Sequence, residues 1–182
     1  EVTLPYYGFE HVELCIEHGD QVGGDYARWL HRRGFNQAQL TGPGRAGAVD
    51  GRIAPQSWRT ALTEDDYPSA FVRDRTIAWM TSHAQSAIDQ PFYLQCSFPD
   101  PHHPFTPPGR WFDAYKADDV PLPESFELST ASDTPIKLAL HAELAEGRRN
   151  ASRSSRVVAV TAAEARDAIA LTWGSIAMID AM

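Results

Sequence analysis

Two cysteines are too few to build a disulfide framework in a chain of 182 residues. Cys96 lies inside a short apolar run and reads as a small core residue. Cys15 lies among His and Glu and reads as more exposed. Nothing in the sequence supports a bridge between them, and the cysteine usage leaves the redox compartment open. Long apolar runs are also missing: none approaches the roughly 18 residues that span a bilayer, so no membrane span is expected. The first residues show neither a basic start nor an apolar leader. Basic residues are outnumbered, 16 Lys and Arg against 24 Asp and Glu, for a net charge of -8. Phosphate backbones are bound by basic surfaces, so nucleic acid is not an expected partner.

What is present suffices for one domain with a real core. With 43% hydrophobic and 22% charged residues the composition is that of a globular chain rather than a disordered one. No internal repeat and no second domain is visible, so residues 1–182 read as a single unit.

Residues 1–24 carry little periodicity and read mostly as loop. Asp25 to Arg33, followed by Gly34, reads as a short helix with an aspartate cap and a glycine stop. Residues 36–66 hold scattered Gly and Pro and read as a loop. Asp65 or Asp66 can cap the next helix, with Pro68 in its first turn. Val72, Thr76, Trp79, Met80, His83 and Ala87 share one face, which extends this helix to about Ile88. The apolar run Phe92–Phe98 then reads as a strand buried on both faces. Residues 99–123 are proline-rich, with Trp111, Phe112 and Tyr115 to pin them down. Residues 127–160 are polar and weakly patterned, and the arginines between Arg148 and Arg156 read as a solvated loop. Thr161-Ala-Ala-Glu164 has the form of a capping box. Ala165, Ile169, Trp173, Ile176 and Ile179 continue it as a helical stripe. The helix runs to Met182 without a stop signal, so the chain is expected to be truncated at both ends.

The chemistry concentrates in the segment from Pro91 to Pro108. An apolar strand delivers His102 and His103 into a proline-stiffened loop, and the rim of an α/β sheet is where ligand-contacting groups sit. A protonated imidazole donates to an oxyanion, and a neutral one accepts a proton. Successive side chains on extended chain face opposite ways, so only one of the pair is expected to enter a pocket. Asp100 can orient His102 or serve the turn, the turn being the expected role. His11, Glu13, Glu17, His18 and Asp20 are metal-ligand residue types without a metal-site spacing, and a substrate-rim contact is the alternative. His141-Ala-Glu143 reads as an exposed polar stretch. Gly19 to Gly24 lacks the glycine order of a dinucleotide-binding turn.

The run Pro91-Phe-Tyr-Leu94, Ser97 and His102-His-Pro104 resembles the sulfatase family of the alkaline phosphatase superfamily in order and spacing. The continuation through Pro107-Pro108, Trp111, Tyr115 and Asp119 to Pro123 is also similar, as is the helix through Ile169 to Asp180. The likeness is good over residues 67–126 and 161–182, fair over 5–33 and thin elsewhere. It implies a partial alkaline phosphatase-like α/β domain, with a central, mostly parallel sheet flanked by helices. It implies hydrolysis of a small-molecule or carbohydrate sulfate ester by a formylglycine nucleophile beside a divalent metal, usually calcium. Aligned on Pro104, His102 takes the substrate-contacting and catalytic position, with His103 as a second substrate-binding candidate in the variable place.

The departures are as informative. Neither Cys15-Ile-Glu-His-Gly19 nor Cys96-Ser-Phe-Pro-Asp100 fits the Cys-x-Pro-x-Arg or Ser-x-Pro-x-Arg motif that becomes formylglycine. The early aspartate pair, the Lys-x-x-His segment and the late Asp-His-Gly or Asp-Asn-Gly stretch are absent. No metal ligand is therefore assigned to any residue, and the chain alone is expected to be inactive. A phosphonate monoester hydrolase or phosphodiesterase of the same superfamily is the alternative, and a non-catalytic binding module on this scaffold is another.

Overall fold

The computed structural model describes residues 3–43, 52–86, 90–127, 134–147 and 159–182. Its first elements are the two-residue strands β1 (Cys15–Ile16) and β2 (Gly23–Gly24), paired antiparallel with Cys15 opposite Gly24. Helix α1 (Asp25–Arg32) follows at once. Asp25 is its first residue and not its cap. Gly24 holds the cap position, and the Asp25 carboxylate accepts instead from the Leu14 amide at 2.8 Å and from Arg28. Gly34 ends the helix as expected, its amide donating to the His31 carbonyl. A four-residue helix, α2 (Gln37–Leu40), interrupts the expected loop, capped by the Asn36 side chain.

Helix α3 (Pro68–Gln85) carries Pro68 in its first turn, but Tyr67 sits at its N-terminus. Asp66 does not cap it, because its carboxylate accepts from Arg33 and from the Thr63 hydroxyl. Val72, Thr76, Trp79 and His83 form the half-buried face that their spacing predicts, whereas Met80 is exposed. The helix ends at Gln85, short of the expected Ile88, where Ser86 turns extended and its amide donates to the Ser82 and His83 carbonyls. Tyr26 and Leu30 of α1 meet Tyr67, Phe71, Val22, Leu62 and Met178 in the main core. Full burial of such side chains contributes about 1.5–3 kcal/mol each.

Helix α4 (Pro135–Ala145) falls in the segment read as unpatterned. Its cap is Thr134, which accepts from the Lys137 amide, and Ile136 and Leu138 are exposed. It buries no residue, so no apolar periodicity marks it in the sequence, although Ala and Leu favour helix and Pro135 suits a first turn. The arginine-rich run and the Asn150 sequon lie outside the described residues. Helix α5 (Ala162–Asp180) opens on the expected capping box, with both the Thr161 and Glu164 bonds formed.

The buried face of α5 is offset from the expected stripe. Ala165, Ala170, Leu171, Gly174, Ser175 and Met178 are buried, while Ile169, Trp173 and Ile179 are half-buried and Ile176 is exposed. The reason is close approach. A Cβ at Gly174 would collide with the Trp111 carbonyl, so the helix lies on the turn of residues 109–112 through its small residues. Asp167 on the same face is buried and accepts from Arg52, Ile53 N and Ala54 N, which ties the segment from Arg52 to the helix.

The expected strand Phe92–Phe98 is corrected. Residues 90–99 have no strand beside them among the described residues, and Phe92 and Tyr93 are 50% and 75% exposed. A strand requires backbone partners, and none of the described segments supplies them. Cys96 is likewise exposed and not core, its sulfur accepting from the Thr76 hydroxyl. Cys15 is half-buried and free, and burial beside Asp25 and Glu13 pushes its thiol up to about 12. The mostly parallel sheet is not present among the described residues, whose one sheet is the β1–β2 pair. No described helix is long and apolar enough to cross a membrane.

Candidate functional site

The loop carrying the histidines is held by a buried chain of hydrogen bonds. Asp100 is buried, and its carboxylate accepts from Ser69 Oγ at 2.5 Å and from the Tyr67 hydroxyl at 3.1 Å. Tyr67 therefore spends its proton on Asp100 and accepts from Thr106 Oγ1 at 3.0 Å. Thr106 is fully buried and accepts in turn from the Asp20 amide. Both ends of the loop are thus fixed to the start of α3 and to the turn Gly19–Gln21. The Phe105 amide adds a bond to the Gln56 carbonyl. Burial raises the Asp100 carboxyl to about 6 against the Ser69 and Tyr67 bonds, which lower it. Asp100 makes no bond to His102; its carboxylate fastens the loop to α3.

Between these fixed ends the chain turns instead of running extended. The expectation that His102 and His103 diverge is corrected for that reason: their ring centroids lie 4.1 Å apart. His18 joins them, face to face with His102 at 3.7 Å and 20° between planes. Gly19 makes this approach feasible. Its φ is +56°, and a Cβ there would stand 2.7 Å from the Pro104 carbonyl oxygen and 2.9 Å from Thr106 Oγ1. Only glycine combines that backbone with that proximity.

His102 is exposed, and its Nδ1 lies 2.6 Å from the His103 carbonyl oxygen. A carbonyl only accepts, so Nδ1 carries the proton. The neutral ring then offers a lone pair at Nε2, and the protonated ring offers a second N–H. His102 can donate to an oxyanion only as the cation, and it can return to the neutral form by giving up the Nε2 proton. His103 is half-buried and held below the usual histidine range, by burial first and then by His102 and His18.

The remaining candidates stay apart. His11 pairs with Glu13, and Glu13 also takes Arg75. Glu17 is exposed, and His141 is exposed on α4. Asp20 is fully buried, accepting from Trp58 Nε1 and the Gly42 amide, and burial raises its carboxyl. Among the described residues no group of three His, Cys, Asp or Glu side chains is placed to hold a metal ion. Calcium therefore finds no fitting ligand set in these residues. A groove of about 270 Å³ lies between Leu4, Val12, Leu14, Ile16 and Arg28, and none of its lining residues belongs to the histidine loop. Tyr67, Ser69 and Thr106 escaped the sequence reading because hydroxyls that meet only in the fold leave no spacing signal. His18 was noted for its residue type, not for its partner.

No family model matches the chain. Over 102 residues it is 28% identical to an arylsulfatase of Clostridium perfringens, an overlap of 54% of this chain and 19% of that protein. The crystal structure of a phosphonate monoester hydrolase of Agrobacterium radiobacter matches all of this chain and 34% of that one, with a TM-score of 0.62 and 24% identity. These likenesses support a hydrolase-type fold of the alkaline phosphatase superfamily. Within it, they bear out the resemblance to the sulfatase family. The chain spans about a fifth of the length of the curated relative and about a third of the structural one.

Proposed function

We propose that this chain forms the histidine-loop portion of a hydrolase that cleaves sulfate esters. The observation that carries the reading is the His102 ring, with Nδ1 committed to the His103 carbonyl and Nε2 left as the working nitrogen on an exposed loop. As the cation, His102 donates Nε2–H to an oxygen of the ester and offsets its charge. When the ester bond breaks, the same proton passes to the departing oxygen, and the neutral ring keeps its Nδ1–H bond. The surrounding parallel sheet, the formylglycine nucleophile and a divalent cation, calcium by the family resemblance, belong in this reading to residues other than the described ones. No step is assigned to them.

A second reading is favoured by the full-chain likeness to a phosphonate monoester hydrolase. Both esters present a tetrahedral oxyanion to the same imidazole. The deciding experiment compares an aryl sulfate with an aryl phosphonate monoester on the full-length enzyme. Higher kcat/KM on the sulfate supports the first reading; higher kcat/KM on the phosphonate replaces it with the second. No turnover of either assigns the scaffold to a binding module.

A further inference from the structure

Three imidazoles share one small volume. The His102 ring lies against His18 at 3.7 Å and against His103 at 4.1 Å. Two positive charges this close repel one another, more strongly at a protein surface than in bulk water. Full protonation of the cluster is therefore opposed unless a counter-charge is close. The neighbouring carboxylates do not supply it. Asp20 is directed to Trp58 and Gly42, and Asp100 to Ser69 and Tyr67. Tyr67 is engaged with Thr106 and Asp100, and Glu17, next to His18, is exposed. Among the described residues no carboxylate forms an ion pair with any of the three rings.

The nitrogen accounting points the same way. His102 Nδ1 is occupied by the His103 carbonyl. His18 Nδ1 is buried and has no hydrogen-bond partner among the described residues. A buried nitrogen left without a hydrogen-bond partner is unfavourable, and a partner gained on binding would relieve that. The stack is also built into the backbone, since Gly19 packs on Pro104 and the Asp20 amide bonds Thr106. His18 is held where it is by the two residues that follow it in the chain.

We propose that His18 is a second anion-binding imidazole of this site, and that the His18–His102–His103 cluster takes up a proton when a tetrahedral oxyanion binds. The inference rests on the proposed function for the identity of the site, and it adds a residue and a coupling to that reading. The ligand class is a sulfate or phosphate group, free or esterified. The bound anion supplies the counter-charge that the cluster lacks, so binding and protonation favour one another, and affinity falls as pH rises.

The test is calorimetric titration of the full-length protein with inorganic sulfate, at mildly alkaline pH, in two buffers of different ionisation enthalpy. The expected result is net uptake of about one proton per sulfate bound, in line with the linkage of charge and proton binding. His18→Phe keeps a flat ring against His102 and removes both nitrogens; it should lower proton uptake and weaken sulfate binding about tenfold. Should that variant fail to fold, His18→Gln keeps a polar side chain that cannot titrate and should lose the uptake while retaining part of the affinity. Unchanged uptake and affinity in the folded variant overturn the proposal, as does sulfate binding without uptake by the natural chain. Binding needs no turnover, so a protein that binds sulfate with uptake but cleaves no ester refutes the proposed function alone.

Discussion

Gly19 lies so close to Pro104 that a Cβ would stand 2.7 Å from the proline carbonyl oxygen. This contact joins two segments more than eighty residues apart in the chain, and it seats the His18 ring on His102. This close approach, together with the Asp20 amide bond to Thr106, sets the spacing of the imidazoles.

Gly19→Ala meets two penalties, a left-handed backbone with φ of +56° and a collision with backbone at Pro104. The expected loss is about 1–3 kcal/mol of stability, measured by urea unfolding. Sulfate affinity should fall with it, because the His18 stack opens. An alanine variant with the natural unfolding midpoint would show that the loop and the turn do not bear on each other.

Asp100 predicts a pH dependence of stability with an unusual sign. Its carboxyl is raised to about 6 from 3.8, so between these values the folded chain binds more protons than the unfolded one. Stability therefore rises as pH falls from 6 toward 4, by up to about 3 kcal/mol from this group. Asp20 is also raised and acts in the same direction. Asp25 is lowered, chiefly by the Leu14 amide and Arg28 acting against its burial, and its contribution is lost only below 3.8, as pH falls through its folded value. Asp100→Asn should flatten the curve between pH 6 and 4, read by urea unfolding at several pH values. A variant with the same slope as the natural chain would assign that slope to other groups.

The parts legible in the sequence were those whose signal is local. The capping box at Thr161 and Glu164 involves four consecutive residues and forms as written. The half-buried face of α3 follows from the 3.6-residue repeat, and Gly34 ends α1. Contacts across the chain left weaker traces. The large apolar residues of α5 point to a face other than the buried one, because the contact with Trp111 demands Gly174. The run Phe92–Phe98 has the composition of a central strand, but composition does not supply neighbours, and Tyr93 is exposed. Adjacent histidines diverge only on extended chain, and the turn from Asp100 to Pro104 brings this pair together.

The central claim is that His102 meets the oxyanion through Nε2, and its most direct test is kcat of the full-length enzyme on its best ester for His102→Ala beside His103→Ala. The account predicts a loss of about a hundredfold or more for His102→Ala, the range for removal of a proton donor, and less than about tenfold for His103→Ala. Equal and small losses for the two variants would contradict it and remove His102 from the site.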